Sequence, residues 1–344
     1  MTEGAPYREH FSVQHAGGVI SLGGDIGGDS SRAIMDAYAQ TASFSYVLVN
    51  VEEIGHIDIS GIETIIKVHL DARRNQRRLV LDGVNRQLRE IFLVTRLDGV
   101  IEIHAGHSPD SPGKVKTSLS AGWSMPVTTI RLSEVPSGAV NLNVDGLEVR
   151  GPLQGFGQLW EKIYRVRLAG VSVSPKEVIS ELKEHFQQFQ PEQNRFYPTR
   201  RGIVPGEAVI INATTPGGLI STGVWVVYAD EEQFTFMTPQ GHPESGWVTF
   251  SAYEDQGVTV AQVVGFARSS DPLNELGFRI AGSRLQEKIW KHVLTSLAQH
   301  FGVSARVEVH KTRVADDLRW EYAGNIWDNA QIRTTLAMLR KRFL

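Results

Sequence analysis

The stretch "GHIDISGIETIIKVHL", residues 55–70, joins the end of an apolar strand to the start of a helix. Ahead of it, "SYVLVNV" is an apolar strand; within it, Ile62, Ile65, Ile66 and Leu70 recur at helical spacing and mark one helical face. The junction itself, Asp58-Ile59-Ser60-Gly61, puts a small hydroxyl and a bare backbone at the helix start. The plain reading of Ser60 is a helix cap.

Outward from this junction, residues 11–104 alternate strand and helix signals. "FSVQHAGGVISLGG" reads as two short strands turning at Gly17-Gly18. "DSSRAIMDAYAQTA" reads as a helix with Asp29 and Ser30 as cap candidates. The strand "RRLVLDG", the helix "NRQLREIFLVTRL" and the strand "VIEIHA" follow. Such an order predicts an α/β sheet of mixed direction covered by helices. The glycine cluster "SLGGDIGGDSS" lacks both the Lys-Ser/Thr pair of a phosphate loop and the dinucleotide glycine spacing, so it is read as a turn.

A chain of 344 residues is long enough for two cores. Its 41% hydrophobic and 21% charged residues are those of a globular protein. With no cysteine there is no disulfide, thiolate metal site or cysteine nucleophile. A net charge of −3 argues against a nucleic-acid partner held by bulk electrostatics. No apolar run reaches the roughly 18 residues of a membrane span, and "MTEGAPYREH" lacks the layout of a secretion signal. A cytoplasmic location is expected.

The first domain is thus placed at 1–104, followed over 105–155 by a linker with strand-like pieces whose domain membership is open. The linker begins with a Ser/Pro/Gly-rich stretch without period. A second domain spans 156–303. It has a helix announced by Ser174, Pro175 and Glu177 as a capping box, with Val178, Leu182 and Phe186 as its apolar face. β-rich runs occupy 203–268, and a long helix over 283–301 carries Leu285, Ile289, Val293, Leu294 and Leu297 on one side. Residues 304–344 form a C-terminal extension ending in the amphipathic segment "IRTTLAMLRKRFL".

The order of elements over 11–104, centred on Asp58-Ile59-Ser60-Gly61-Ile62, resembles the STAS domain of bacterial anti-sigma factor antagonists. The motif is similar to that family's Asp-Ser-Ser-Gly-Leu, with Ile59 in place of the first serine and Asn50 where an Asp is common. Gly24-Asp25 matches the Gly and polar residue after the second strand. The resemblance implies a protein partner such as an anti-sigma factor that doubles as a kinase. It implies phosphorylation at Ser60, and docking through Asp25, Asp58, Ser60 and Gly61, with Gly61 clearing the partner's approach.

Over 157–303, Gly241-His242-Pro243-Glu244-Ser245-Gly246 and the Gln286-containing helix resemble a bacterial family of unknown function in the START-like superfamily. That resemblance implies an α+β helix-grip domain: a curved antiparallel sheet around a long C-terminal helix, with a mostly apolar cavity between them. Phe236, His242, Trp247, Phe250, Phe266 and Trp290 would line it for a small apolar ligand, as would Phe278, although each ring suits an ordinary core. No metal spacing, cofactor or base–nucleophile pair is evident. The expected protein is a signalling module rather than an enzyme. The alternatives are an enzyme using His242 and Glu244 as acid–base groups in that cavity, and a structural component of an assembly.

Overall fold

The structure, a computed structural model, describes residues 10–106, 121–215 and 217–342. The N-terminal stretch 1–9 and residues 107–120 of the expected linker lie outside the described residues. Two compact units divide the chain, Met1–Pro126 and Val127–Leu344.

In the first unit the expected alternation holds. Strands β1 (Ser12–Ala16), β2 (Val19–Ile26), β3 (Tyr46–Ile57), β4 (Arg78–Val84) and β5 (Glu102–Ala105) form one sheet in that spatial order. The β1–β2 hairpin is antiparallel and the remaining pairs are parallel. Helices α1 (Ser31–Gln40), α2 (Ile59–Arg74) and α3 (Arg86–Val94) connect them. Of the two cap candidates before α1, Ser30 holds the N-cap position but its side chain makes no cap bond to the helix. Asp29 is exposed in a short 3-10 turn, while Ser30 Oγ accepts from the Gly27 amide at 3.0 Å and donates to the Gly27 carbonyl at 2.8 Å.

The second unit is built on an antiparallel sheet. Its strands are β6 (Val149–Arg150), β7 (Leu159–Arg167), β8 (Asn194–Pro198), β9 (Ala208–Thr215), β10 (Gly218–Ala229), β11 (Gln233–Pro239), β12 (Glu244–Asp255), β13 (Val258–Ser269) and β14 (Glu308–Ala315). They run in the order β14-β7-β13-β12-β11-β10-β9-β8, with β6 paired to β11. Helix α4 (Pro175–Glu184) starts at the anticipated box of Ser174 and Glu177. After α5 (Pro272–Gly277), α6 (Ser283–His300) lays Val293, Leu294 and Leu297 into the same buried cluster as Val178, Leu182 and Phe186. A long helix held against one face of an antiparallel sheet is the helix-grip arrangement. The last helix is α7 (Ala330–Arg342).

Residues 127–155, whose membership the sequence leaves open, pack within this unit. Val144 sits where a side chain on Gly223 of β10 would have to go, and a Cβ on Gly155 would come within 2.7 Å of Arg268 Cγ on β13. Gly223 and Arg268 alternate with the α6-facing residues Val224 and Val263, so this segment covers the opposite face of the sheet. Strand β14, which nothing in the 304–344 extension announced, pairs with β7 and adds an edge beyond α6.

Gly61 lies at the third position of α2 and faces inward. A Cβ there would approach Ile57 Cγ1 at 2.7 Å, and Ile26 Cγ2 and O at 2.9 Å. Its role is close packing of α2 on the strand ends, which corrects the expectation that it clears a path for a partner. Gly61→Ala should therefore destabilise the first unit by about 1–3 kcal/mol through overpacking, read as a lower melting temperature. An unchanged melting temperature would show that the site yields.

Candidate functional site

The α2 junction sits where the parallel strands β2 and β3 end. The Asp58 amide donates to the Ile26 carbonyl at 3.0 Å, which ties the end of β3 to the end of β2. The Asp58 carboxylate accepts from the Gly61 amide at 2.9 Å. Asp58, not Ser60, is therefore the N-cap. Ser60 is half-buried at the second helical position, and its hydroxyl makes no hydrogen bond among the described residues. Asp25, on β2 opposite His56 of β3, is half-buried one residue before Ile26. Asp58 and Ser60 thus sit together at the start of α2, Asp25 lies near the end of the adjoining strand, and Gly61 faces inward.

Two contributors to this junction were not anticipated. Gly27 leaves room for the Asp58 carboxylate, which a Cβ would meet at 2.8 Å, and Gly28 borders the Ser60 hydroxyl at 3.9 Å from its own Cβ position. The glycine cluster was visible in the sequence, but its closure over Asp58 and Ser60 was not. The second is Trp123, whose buried indole N–H donates to the carbonyl of Ile57 at 2.9 Å. Its only sequence signal is a single tryptophan in a Ser/Pro/Gly-rich stretch.

In the second unit, the six residues assigned to a cavity fall into three places. Phe236, Phe250 and Trp290 do face the space between sheet and α6, but rings occupy that space. Phe186 meets Phe196, Phe234, Phe236 and Phe250 edge-on at centroid distances of 5.0–5.9 Å, and Phe250 meets Trp290 at 5.6 Å. Trp247 and Phe266 lie on the opposite face of the sheet, stacked on each other at 5.9 Å. The reason is strand alternation: each stands an odd number of positions from a residue that faces α6.

His242 occupies the turn between β11 and β12, and this turn is held on several sides. The Gly241 carbonyl accepts from the Ala330 amide at 2.8 Å, the Pro243 carbonyl from the Ser270 amide at 3.0 Å, and Gln240 Nε2 donates to Asp328 at 2.7 Å. His242 Nδ1 accepts from the Glu244 amide at 3.1 Å. Gln286 Nε2 donates to the Glu244 carboxylate at 2.7 Å, and Lys162 Nζ to Gln286 Oε1 at 2.5 Å, so the two resembling features, the turn and the α6 glutamine, do meet. Phe278 is half-buried beside Lys162, whose ammonium lies 5.8 Å from the ring centre. Among the described residues no group of three or more His, Cys, Asp or Glu side chains is placed to hold a metal ion.

Residues 10–102 match the family model described as "Mlab, STAS domain", and residues 165–296 match that of a domain of unknown function, DUF1990. The chain joins a STAS domain to a DUF1990 domain. Solved structures similar to parts of it include an anti-sigma factor antagonist from Mycobacterium paratuberculosis, with 15% identity and TM-score 0.25 over 35% of this chain and 97% of that one. Others are protein Ms6760 from Mycobacterium smegmatis, with 12% identity and TM-score 0.30 over 40% and 89%, and the KanY protein, with 11% identity and TM-score 0.32 over 42% and 99%. No curated protein matches. Segment 127–158, β14 and α7 all lie outside the stretch that matches DUF1990.

Burial pushes the pKa of His242 down to about 4, against a weaker opposing pull from the Glu244 carbonyl, 3.1 Å from Nδ1. The unfolded chain titrates this group near 6.5, so between those values the unfolded state binds more protons and stability falls as the pH drops. The loss is at most on the order of 3 kcal/mol. In His242→Asn, whose side-chain oxygen can accept from the Glu244 amide, calorimetry from pH 7.5 to 4.5 should show a shallower decline of the melting temperature than in the wild type. Parallel curves would mean that His242 titrates normally.

Proposed function

We propose that the STAS domain is the partner-docking module of a signalling protein, and that phosphorylation of Ser60 releases the partner. One observation carries this reading: Asp58 takes the cap of α2, which leaves the half-buried Ser60 hydroxyl without a hydrogen bond among the described residues. A phosphate at this place is compatible with its own domain, because a helix N-terminus favours negative charge. The same charge, close to −2, beside Asp58 repels a docking surface shaped for a neutral hydroxyl. The partner class is a protein of the anti-sigma factor and kinase type, engaged through Asp25, Asp58 and Ser60.

For the DUF1990 domain the ring-filled interior favours an interaction module over a sensor. A ligand-sensing role has one observation on its side. Tyr164 Oη and Trp290 Nε1, both in the cluster between sheet and α6, are buried without hydrogen-bond partners. Burial and the charges of Glu287 and Glu244 push the Tyr164 pKa up, so it is a neutral donor in want of an acceptor. A small molecule with an acceptor group on an apolar body would satisfy both. An enzymatic role is the weaker reading, because His242 spends Nδ1 on the backbone of its own turn and its depressed pKa makes it a poor base near neutrality.

Co-purification from the native host should identify the STAS partner, with mass spectrometry reading the phosphorylation state of Ser60. Ser60→Asp and Ser60→Glu should then weaken binding by about tenfold, or roughly 1.4 kcal/mol, with no loss of melting temperature. Ser60→Ala should bind normally, escape regulation and stay within about 0.5 kcal/mol of wild-type stability. Asp58→Ala, which removes the cap, should cost about 1 kcal/mol. Acidic variants that bind like the wild type, with no phosphate found on Ser60, would sink the switch.

A further inference from the structure

Helix α7 is mounted with its apolar stripe outward. It is held to β10 by small and polar residues: Ala330 and Thr334 are fully buried, and Thr334 Oγ1 accepts from the Ser221 amide and from Asn143 Nδ2, each at 3.1 Å. Gln331 Nε2 adds a bond to the Leu219 carbonyl at 2.9 Å. Ile332, Leu336 and Leu339, at i, i+4 and i+7, are 39%, 52% and 45% exposed. Surface helices of soluble domains face the other way, apolar side to the core. Just before α7, Trp327 is 84% exposed.

The charge of this segment is as unusual as its orientation. Between Asn329 and Leu344 there is no Asp or Glu, while Arg333, Arg340, Lys341 and Arg342 are cationic, in a chain whose net charge is −3. Arg333 is paired with Asp328 at 3.0 Å; the other three cluster in sequence after the apolar stripe.

We propose that α7 together with Trp327 is a peripheral docking surface for an anionic lipid membrane. Such a surface offers a low-dielectric layer for the leucine stripe, a headgroup zone where tryptophan is favoured, and negative charge for the arginine–lysine end. The helix has 13 residues, and at about 1.5 Å per residue it is too short to cross a bilayer. It lies in the interface instead, consistent with the finding that no described helix is long and apolar enough to span a membrane. A second copy of α7 would cover the apolar stripe but offers no negative charge to the basic end, since there is no Asp or Glu between Asn329 and Leu344. A nucleic acid supplies the phosphates but no phase for the leucines.

Full-length protein should co-sediment with vesicles of phosphatidylglycerol and phosphatidylcholine, and far less with phosphatidylcholine alone. Raising salt from 0.1 to 1 M should weaken the binding, because the Debye length shrinks from about 10 to 3 Å. Leu336→Glu should lower vesicle affinity at least tenfold, and so should Arg340→Glu combined with Lys341→Glu. The altered side chain of Leu336 is exposed, so its melting temperature should match the wild type; if that variant misfolds, Trp327→Ser serves the same purpose. Failure to bind anionic vesicles would overturn the proposal, as would binding unaffected by these substitutions. A dimer that Leu336→Glu converts to monomer would assign the stripe to self-association and overturn it equally.

Discussion

The central strand β10 is buried at every position from Ile220 to Tyr228. A strand shows alternate side chains to opposite faces, so a run of this kind demands cover on both sides of the sheet. The second unit is arranged around that demand. Helices α4 and α6 and a ring cluster occupy one face. The other is closed at β10 by Asn143, Val144 and Thr334, and at β13 by the backbone at Gly155. Segment 127–155 and the C-terminal extension are thus structural parts of this domain, although they fall outside the stretch shared with DUF1990. Trp247 and Phe266 are buried on that second face. At about 1.5–3 kcal/mol for each large apolar side chain buried, keeping that face covered is worth a large fraction of the stability of a domain.

The same double cover explains why the cavity residues separate. A cavity between sheet and helix can recruit only the residues of one face, and on that face Phe186 brings its ring against four others. The polar atoms that remain unsatisfied there, Tyr164 Oη and Trp290 Nε1, are costly where they stand. Such cost is tolerated at functional positions more readily than elsewhere. On the opposite face Arg268 is 1% exposed with no hydrogen bond to its guanidinium nitrogens, and burial pulls its pKa down to about 10. The charges of Asp317 and Glu321 pull against that burial.

In the STAS domain the decisive division of labour is between two neighbouring residues. Helix initiation needs one side-chain acceptor, and Asp58 supplies it. Ser60, two positions on, is relieved of that task. A hydroxyl that also capped the helix would cost the fold something when modified, whereas a spare one does not. Gly61 belongs to the packing, and the small residue that flanks Ser60 is Gly28, from the short turn that follows β2.

Much of this was legible from local pattern alone. The order and type of elements in the first domain, the β-rich run over 203–268, the Ser174–Glu177 box and the apolar faces of α2, α4 and α6 follow from periodicities of two and 3.6, which are properties of neighbouring residues. The choice of Asp58 over Ser60 as cap was not legible, since both residue types cap helices and only the path of β3 into α2 decides between them. Nor was the inward turn of Gly61, the bond from Trp123 to Ile57, or the parting of Trp247 and Phe266 from Phe250, although the last follows from counting positions once the strand is known. The direction in which α7 faces is of the same kind. Its sequence carries an apolar stripe, but whether that stripe meets the sheet or the solvent was settled by Thr334 and Ala330 fitting against β10. Local sequence sets what an element is; which of its sides is spent on the fold depends on partners far away in the chain.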